Sequence, residues 1–317
     1  MEGVMMRGPL TWAVACRKPD SQIAVESFDL PTTVKRHRWL AWPFFRGVYV
    51  LVESLTIGMR ALKISANYQL EEEQAPSAEA VPDADPASPP PKKGAEKAIG
   101  WSLGIALVFF SAIFIALPAL ISKLGGRALG VHGTVSQNLL EGAIRIGFFL
   151  GYIMLISLVP DIKRVFQYHG AEHKTIYAYE NGDPLEPEVV DRYSTLHVRC
   201  GTNFLFIVMF LAIIGHFVVD LALAGQPVWL KILSRVLMIP VIAGSSYEVI
   251  RAAGKNERSI VFRTASLPGL ALQKITTRPP TRDQIEVAIK AMEAVVASSG
   301  APVVPPGDAG GLAPGGL

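Results

Sequence analysis

The chain has 317 residues, 50% of them hydrophobic, and a mean hydropathy of +0.34. This composition excludes an ordinary soluble protein. Because the apolar residues are gathered in long runs, it indicates an integral membrane protein in contact with lipid. The net charge of +3 is small, and no segment interleaves basic with aromatic residues. We therefore expect membrane lipid, and no nucleic acid, among the partners.

The chain contains only two cysteines, Cys16 and Cys200, which are far apart in the sequence. They do not make a disulfide framework, and they indicate a reducing, cytosolic setting for both thiols. The N-terminus carries neither the basic segment nor the apolar run of a signal peptide. Internal apolar segments are therefore expected to direct membrane insertion.

Residues 1–38 are predicted to form a small cytosolic β element. Residues 12–17 and 22–28 are short strand-like runs, and residues 18–21 between them are a favourable turn. Since an isolated hairpin is only marginally stable, we expect this one to pack against another part of the chain.

Residues 39–69 are predicted to form an amphipathic or membrane-associated helix. Arg46, Glu53 and Arg60 are spaced by seven residues and fall on one stripe of such a helix. The helix would lie on the membrane or against other helices; a span is disfavoured because three charges would then need burial. The acidic, Pro-rich residues 70–97 are predicted to be a disordered linker.

Residues 98–251 are predicted to form a four-helix transmembrane domain, so the expected fold class is a mainly α membrane protein. Its four apolar segments are residues 101–121, 139–159, 204–223 and 228–250. The second segment contains Glu141 and Arg145 as an i, i+4 pair, for which helix–helix adhesion is favoured over ion transport.

The basic residues predict the orientation. They concentrate before the first span, between the second and third spans and after the fourth, namely Lys92, Lys93, Lys97, Lys163, Arg164, Lys174, Arg192, Arg199, Arg251, Lys255, Arg258 and Arg263. By the positive-inside rule, both termini and the loop of residues 165–200 are cytoplasmic. Residues 252–298 form a cytosolic C-terminal region with a helix from residue 281 to about 297, and residues 299–317 form a disordered tail.

The most informative motif lies at residues 168–174, at the cytosolic end of the second span. On a helix, His169, Glu172 and His173 occupy positions i, i+3 and i+4 and project from one face. Two imidazoles at this spacing can bind one metal ion, and the carboxylate beside them can act as a base or a third ligand. The order H-x-x-E-H is the one that inverted-motif zinc peptidases use.

A second polar cluster, at residues 197–201, opens the third span at the same membrane face. His197 and Cys200 are three residues apart, and a helix N-terminus favours the thiolate, which is the metal-binding form of cysteine. With His169 and His173 they make a four-ligand set suited to a divalent metal such as zinc. All four would form a structural site, whereas three would leave room for a water activated by Glu172. The competing interpretation is a structural polar network.

Several segments together resemble one family. They are EGVMMRGP at residues 2–9, WPFFRGVYVLVESLTIGMRALKISAN at 42–67, YHGAEHKTIYAYENG at 168–182, LHVRCGTNFLF at 196–206 and LALQKITTRPPTRDQIEVAI at 270–289. The combination is similar to the YqhQ-like family of bacterial membrane proteins, a domain of unknown function often labelled a predicted metal-dependent enzyme.

The resemblance implies a multi-pass protein of the bacterial inner membrane with a metal site. It carries over as family-pattern polar positions His169, Glu172, His173, His197 and Cys200. It also implies a short segment preceding Met1.

Two functions fit these patterns. The first is a metal-dependent membrane hydrolase, in which His169 and His173, with His197 or Cys200, bind zinc and Glu172 activates a water at the cytosolic surface. The second is a non-catalytic scaffold or assembly factor that docks a protein partner at the cytosolic face. A transporter is disfavoured because the spans show no internal repeat.

Overall fold

A computed structural model describes residues 2–30, 40, 42–70, 105, 108–109, 112–131, 133–198, 200–256 and 259–299. The described residues form three strands, β1 (Gly3–Arg7), β2 (Thr11–Arg17) and β3 (Ile23–Asp29). They also form nine α-helices, α1 (Phe45–Leu70), α2 (Leu117–Ala128), α3 (Thr134–Ile156), α4 (Pro160–Asn181), α5 (Pro187–Val190), α6 (Gly201–Ala222), α7 (Val228–Lys255), α8 (Ile260–Thr276) and α9 (Arg282–Ser299). The predicted linker and tail lie, almost entirely, outside the described residues.

Three of the described helices are long and apolar enough to cross a membrane. The candidate spans are Val135–Ile156 of α3, Gly201–Ala222 of α6 and Leu233–Gly254 of α7. Only 11% of the α3 and α6 segments is buried inside the protein, which is what a lipid-facing helix requires. The second, third and fourth predicted spans thus match candidate helices. The prediction of four spans is not confirmed, because most of residues 101–111 lies outside the described part.

The candidate spans carry polar pairs. Glu141 and Arg145 form the predicted ion pair within α3, at 2.6 Å. Asp220 of α6 accepts a hydrogen bond from Arg235 of α7 at 3.0 Å, which joins these two neighbouring helices. In an apolar surrounding, such pairs fix how helices pack, because an unpaired charge there is costly.

The N-terminal sheet and helix α9 share one core. The sheet is antiparallel in the order β1-β2-β3, so the predicted hairpin is present and β1 adds an edge strand that was not predicted. One face of the sheet packs on α4 and α9 through a buried cluster that includes Val4, Met6, Ala13, Ala15, Tyr168, Ala171, Ile285, Ala288, Ile289 and Met292. The sequence spacing of Ile285, Ala288, Ile289 and Met292 predicts one apolar face of α9, and all four residues are in this core.

The opposite face of the sheet packs on α1. Trp12, Val14 and Cys16 form a second buried cluster with Ile57 and Ala61 of α1. Strand β2 therefore contributes buried side chains to both faces, which explains its almost continuous apolar sequence. We call the unit made of the sheet, α4, α5 and α9 the sheet domain.

An ion pair joins the first strand region to α4. Glu2 accepts hydrogen bonds from Arg164 at 2.6 Å and from the Tyr168 hydroxyl at 2.8 Å. Burial raises the pKa of Glu2, but these hydrogen bonds outweigh it, so the pKa lies below the usual value of 4.5. The ionised carboxylate therefore stabilises the contact between the N-terminus and α4.

Candidate metal site

The H-x-x-E-H motif lies on α4, as predicted. The helix begins with Pro160, a position where the missing N–H costs nothing, and ends at Asn181 with Gly182 as its C-cap, whose φ of 76° favours glycine. His169, Glu172 and His173 are therefore one turn apart on a regular helix, and their side chains share a face.

Cys200 meets this face from α6. It is the N-cap of α6, as the sequence predicted for a cysteine at a helix start, and its sulfur accepts from the Thr202 backbone N–H at 3.4 Å. The His169 Nε2 atom lies 3.0 Å from the Cys200 Sγ. One ligand atom from each of His169, His173 and Cys200 lies within 4.8 Å of the others, and the three could hold a metal ion.

Backbone carbonyls orient both imidazoles. The His169 Nδ1–H donates to the Thr276 carbonyl at 2.9 Å, and the His173 Nδ1–H donates to the Thr195 carbonyl at 2.6 Å. Because a carbonyl only accepts, each Nδ1 carries a proton and each Nε2 is left to face the cluster. Metal-binding histidines are typically oriented in this way. Burial lowers the pKa of His173, which favours the neutral form that binds metal.

The number of protons also favours a cation. The Cys200 sulfur lies 3.0 Å from the His169 Nε2 atom, and the ligand nitrogen of His173 lies within 4.8 Å of it. With both rings neutral, the thiol has one proton for two Nε2 acceptors, so one acceptor is left without a donor. A metal ion bound to the thiolate and to both Nε2 atoms satisfies all three groups. A tetrahedral zinc ion would hold nitrogen and sulfur about 3.5 Å apart, so His169 and Cys200 would separate by roughly half an ångström.

Glu172 shares a face of α4 with His169 and His173 but is not one of the three grouped residues. It is half-buried, and its carboxylate interacts electrostatically with His169 and His197. Burial raises the pKa of its carboxyl group above the usual value of 4.5. Within the described residues, its carboxylate accepts no hydrogen bond, unlike the carboxylates of Glu2 and Glu248. A raised pKa and a free carboxylate are properties of a general base.

His197 is near the cluster but is not one of its three members. Its Nε2 lies 3.6 Å from a Glu180 carboxylate oxygen, and its ring centroid lies 4.5 Å from that of Tyr177. The His173 ring centroid is 5.6 Å away. The four-ligand set that includes His197 therefore stays a prediction, whereas the group of His169, His173 and Cys200 is present in the structure.

A buried glutamine of α8 holds the segment that carries His197 and Cys200. The Gln273 side chain accepts from the His197 backbone N–H and donates to the His197 carbonyl, both at 2.8 Å. That same carbonyl also accepts from the Cys200 backbone N–H at 3.3 Å. Gln273 is completely buried. Helix α8 was not predicted, although the apolar run around Pro268 indicates a helix there.

Glu248 lies near the end of α7 and is a further candidate for a metal ligand. Its carboxylate instead accepts hydrogen bonds from residues at the start of α1. It accepts from the Arg46 Nε at 2.7 Å and from the Phe44 backbone N–H at 3.3 Å. Glu248 is therefore the ion-pair partner of Arg46 on α1.

The fold and the site define a class of protein: a mostly helical chain with candidate membrane spans and a His–His–Cys cluster beside them. Residues 42–298 match the family described as a protein of unknown function (DUF1385), and the chain belongs to this family. The chain is 33% identical over 297 residues to the "Uncharacterized protein YqhQ" of Bacillus subtilis (strain 168), covering 92% of this chain and 88% of that protein. No solved structure matches the chain. The family expected from the sequence is thereby confirmed.

Proposed function

We propose that this protein is a zinc-dependent hydrolase of the bacterial inner membrane. The observation that carries the proposal is the convergence of two imidazole Nε2 atoms and one thiol on the helix face that also presents the Glu172 carboxylate. Three protein ligands are typical of catalytic zinc sites, where the fourth position takes water, whereas structural sites use four.

The residues divide into three roles. His169, His173 and Cys200 hold the ion, which when bound makes water acidic enough to yield a nucleophile at neutral pH. Glu172 accepts the proton from that water, a task favoured by its raised pKa and free carboxylate. The carbonyls of Thr195 and Thr276 keep the two imidazoles in the ligating tautomer.

We further propose that the protein is multi-pass and that both termini are cytoplasmic. The strands near the N-terminus, α4 and α9 share one core, so they lie on the same side of the membrane. The segment between α3 and α6 includes Lys163, Arg164 and Lys174, and a surplus of basic residues marks the cytoplasmic side. The metal site would then face the cytosol at the membrane boundary.

Metal content and an isotope experiment together test the proposal. Purified wild-type protein should contain about one zinc ion per chain. The double substitution of His169→Ala with His173→Ala should abolish binding, whereas Glu172→Gln should retain it. Wild-type protein that excludes zinc while remaining folded would overturn the metal site.

Catalysis can be tested before the substrate is known. Zinc-loaded protein in vesicles is incubated with a bacterial membrane and cytosol extract in ¹⁸O-labelled water, and the products are compared by mass spectrometry. Hydrolysis places one ¹⁸O atom in a carboxylate or phosphate product. The wild type should yield such a product and Glu172→Gln should not. Equal labelling by the two proteins would contradict the role of Glu172.

A scaffold or assembly factor is the second candidate function. It is favoured by one observation: the cluster joins α4 and α6, and the carbonyl of Thr276 ties α8 to it. A metal ion there could simply hold these helices together while the cytosolic face docks a protein. In that case Glu172→Gln would leave both metal content and isotope labelling at the wild-type level, and only loss of zinc would lower stability.

A further inference from the structure

Helix α1 exposes its apolar side. Val52, Leu55, Met59 and Leu62 are 57%, 60%, 54% and 44% exposed. Their spacing of three, four and three residues keeps them on one stripe of the helix, which we call the α1 apolar face. A contiguous apolar face that is left exposed marks an interaction surface.

The charged stripe of α1 faces the protein instead. Arg46 pairs with Glu248 of α7, and Glu53 pairs with Arg7 of β1. The Arg60 guanidinium lies 4.0 Å from the centroid of the Phe28 ring on β3. All three charges predicted to share a stripe therefore have partners inside the molecule. This is the reverse of a helix on a water-soluble protein, whose apolar side faces the core.

The α1 apolar face begins where a candidate span ends. Gly47 lies so close to α7 that an added Cβ would be 2.8 Å from the Tyr247 Cβ and 2.9 Å from the Gly244 carbonyl oxygen. Earlier in α7, Leu237 and Ile239 are 63% and 62% exposed, as expected of a lipid-facing helix. These exposed apolar residues of α7 thus lie between one and two helical turns before Gly244, where α7 contacts α1.

The other end of α1 rests on the sheet. The Tyr68 hydroxyl donates to the Glu26 carboxylate at 2.7 Å, and Ile57 and Ala61 pack on β2. Helix α1 therefore runs from the end of α7 along one face of the sheet. Its apolar face points away from the sheet.

The number of crossings argues against α1 as a span. The sheet and α4 are on the same side of the membrane because they share a core. Helix α3 enters α4 from the opposite side, so an odd number of crossings must lie between the sheet and α3. The sequence predicts one crossing at residues 101–121, and a second crossing by α1 would make the number even.

We propose that α1 is a non-spanning interfacial helix whose apolar face inserts into the acyl-chain region of the lipid bilayer. The three charged side chains on its other side have partners inside the protein, so they need not enter the lipid. Lys63 is exposed beside Leu62, and its long side chain can extend to the lipid headgroups. The helix would hold the sheet domain against the membrane and keep Cys200, at the first turn of α6, close to the headgroups. The proposal depends on a membrane location but not on zinc binding or hydrolysis.

Spin labels test this directly. Leu55→Cys and Met59→Cys, each labelled with a nitroxide and reconstituted in phosphatidylcholine–phosphatidylglycerol vesicles, report collisions with oxygen and with a water-soluble nickel complex. Lys290→Cys on the exposed side of α9 is the matched control. Wild-type protein labelled in parallel gives the background from Cys16 and Cys200, which are buried. All three substitutions are at exposed positions, so the fold should be retained.

Oxygen collisions should dominate at positions 55 and 59, and nickel collisions should dominate at 290. Nickel-dominated collisions at 55 and 59 would show that the face is in water and would overturn the proposal. Immobile labels that exclude both reagents would indicate a protein on this face, a second copy included, and would also overturn it. Labels at positions 52 and 62 should report similar depths, because a steady change in depth would mean that α1 crosses the membrane.

Discussion

Replacing Gln273 by leucine should destabilise the protein and weaken the metal site together. The side chain is completely buried and forms two hydrogen bonds of 2.8 Å with the backbone of His197. Leucine has a similar volume, so the change removes the hydrogen bonds without opening a large cavity. The change removes the acceptor of the buried His197 N–H. It also removes one of the two hydrogen bonds to the His197 carbonyl.

The buried His197 N–H loses its acceptor, which costs about 1–3 kcal/mol. The His197 carbonyl keeps the Cys200 N–H, so its lost hydrogen bond adds about 1 kcal/mol and the expected loss is about 2–4 kcal/mol. For a chain of this size, that corresponds to a melting temperature lower by roughly 5–15 °C. Because Gln273 also holds the turn that leads into Cys200, zinc affinity should fall about 10–100-fold, as is usual when a group supporting a ligand is lost.

The assay is thermal unfolding of purified protein in detergent, followed by intrinsic fluorescence, together with zinc titration against a competing chelator. Gln226→Leu is the matched control, because Gln226 is exposed in the turn between α6 and α7. If Gln273→Leu melts at the same temperature as Gln226→Leu, the hydrogen bonds to His197 do not support the site, and the reasoning is refuted.

Three further predictions concern the rest of the fold. The pKa of Glu2 is lower in the folded protein than the usual 4.5, so its stabilising effect is present above pH 4.5 and is lost as the pH falls through the folded value. Melting temperatures of wild type and Glu2→Gln should therefore differ at pH 7 and converge in acid; a constant difference would contradict this. Asp220→Leu alone should cost about 3 kcal/mol because it leaves the Arg235 charge unpaired, and adding Arg235→Leu should restore part of the loss. Denaturant unfolding of the singles and the double tests this, and additive losses would exclude coupling. Gly47→Ala should destabilise the contact between α1 and α7, whereas Gly58→Ala, which meets nothing within 4 Å, should stabilise by about 0.5–1 kcal/mol. Equal melting temperatures of the two alanine variants would show that α1 does not pack closely on α7.

The helices were predictable because their signals are local. The apolar runs of α3, α6 and α7 and the apolar spacing of α9 are properties of consecutive residues. Helix α8 was missed because it depends on a distant partner: it packs through Gln273 on a turn 76 residues earlier. Strand β1 is only five residues long; among the described strands it pairs with β2, which begins four residues after β1 ends, so its signal was local but was not recognised.

The site was predictable in part. The helix spacing of His169 and His173 and the order of the spans were enough to bring Cys200 into the set. The sequence could not show that His169, His173 and Cys200 form a group of three without His197, and it could not identify the carbonyls of Thr195 and Thr276. Because every residue has a backbone carbonyl, the sequence does not mark which carbonyl bonds a histidine. The role of the Thr276 carbonyl is visible only in the structure, where the end of α8 lies beside α4. The charged stripe of α1 was recognised, but which side of the helix met the protein depended on Glu248 and Arg7, far away in the chain.

Cobalt substitution tests the central claim most directly. Co²⁺ that replaces zinc between two imidazoles and a thiolate gives intense visible absorption, typical of low coordination number, and a thiolate-to-cobalt charge-transfer band in the near ultraviolet. Wild-type protein should show both at one cobalt ion per chain. Cys200→Ser should lose the charge-transfer band while still binding, and His169→Ala with His173→Ala should bind no cobalt. A spectrum that is unchanged by Cys200→Ser, or that matches octahedral aqueous cobalt, would contradict a metal site built from His169, His173 and Cys200.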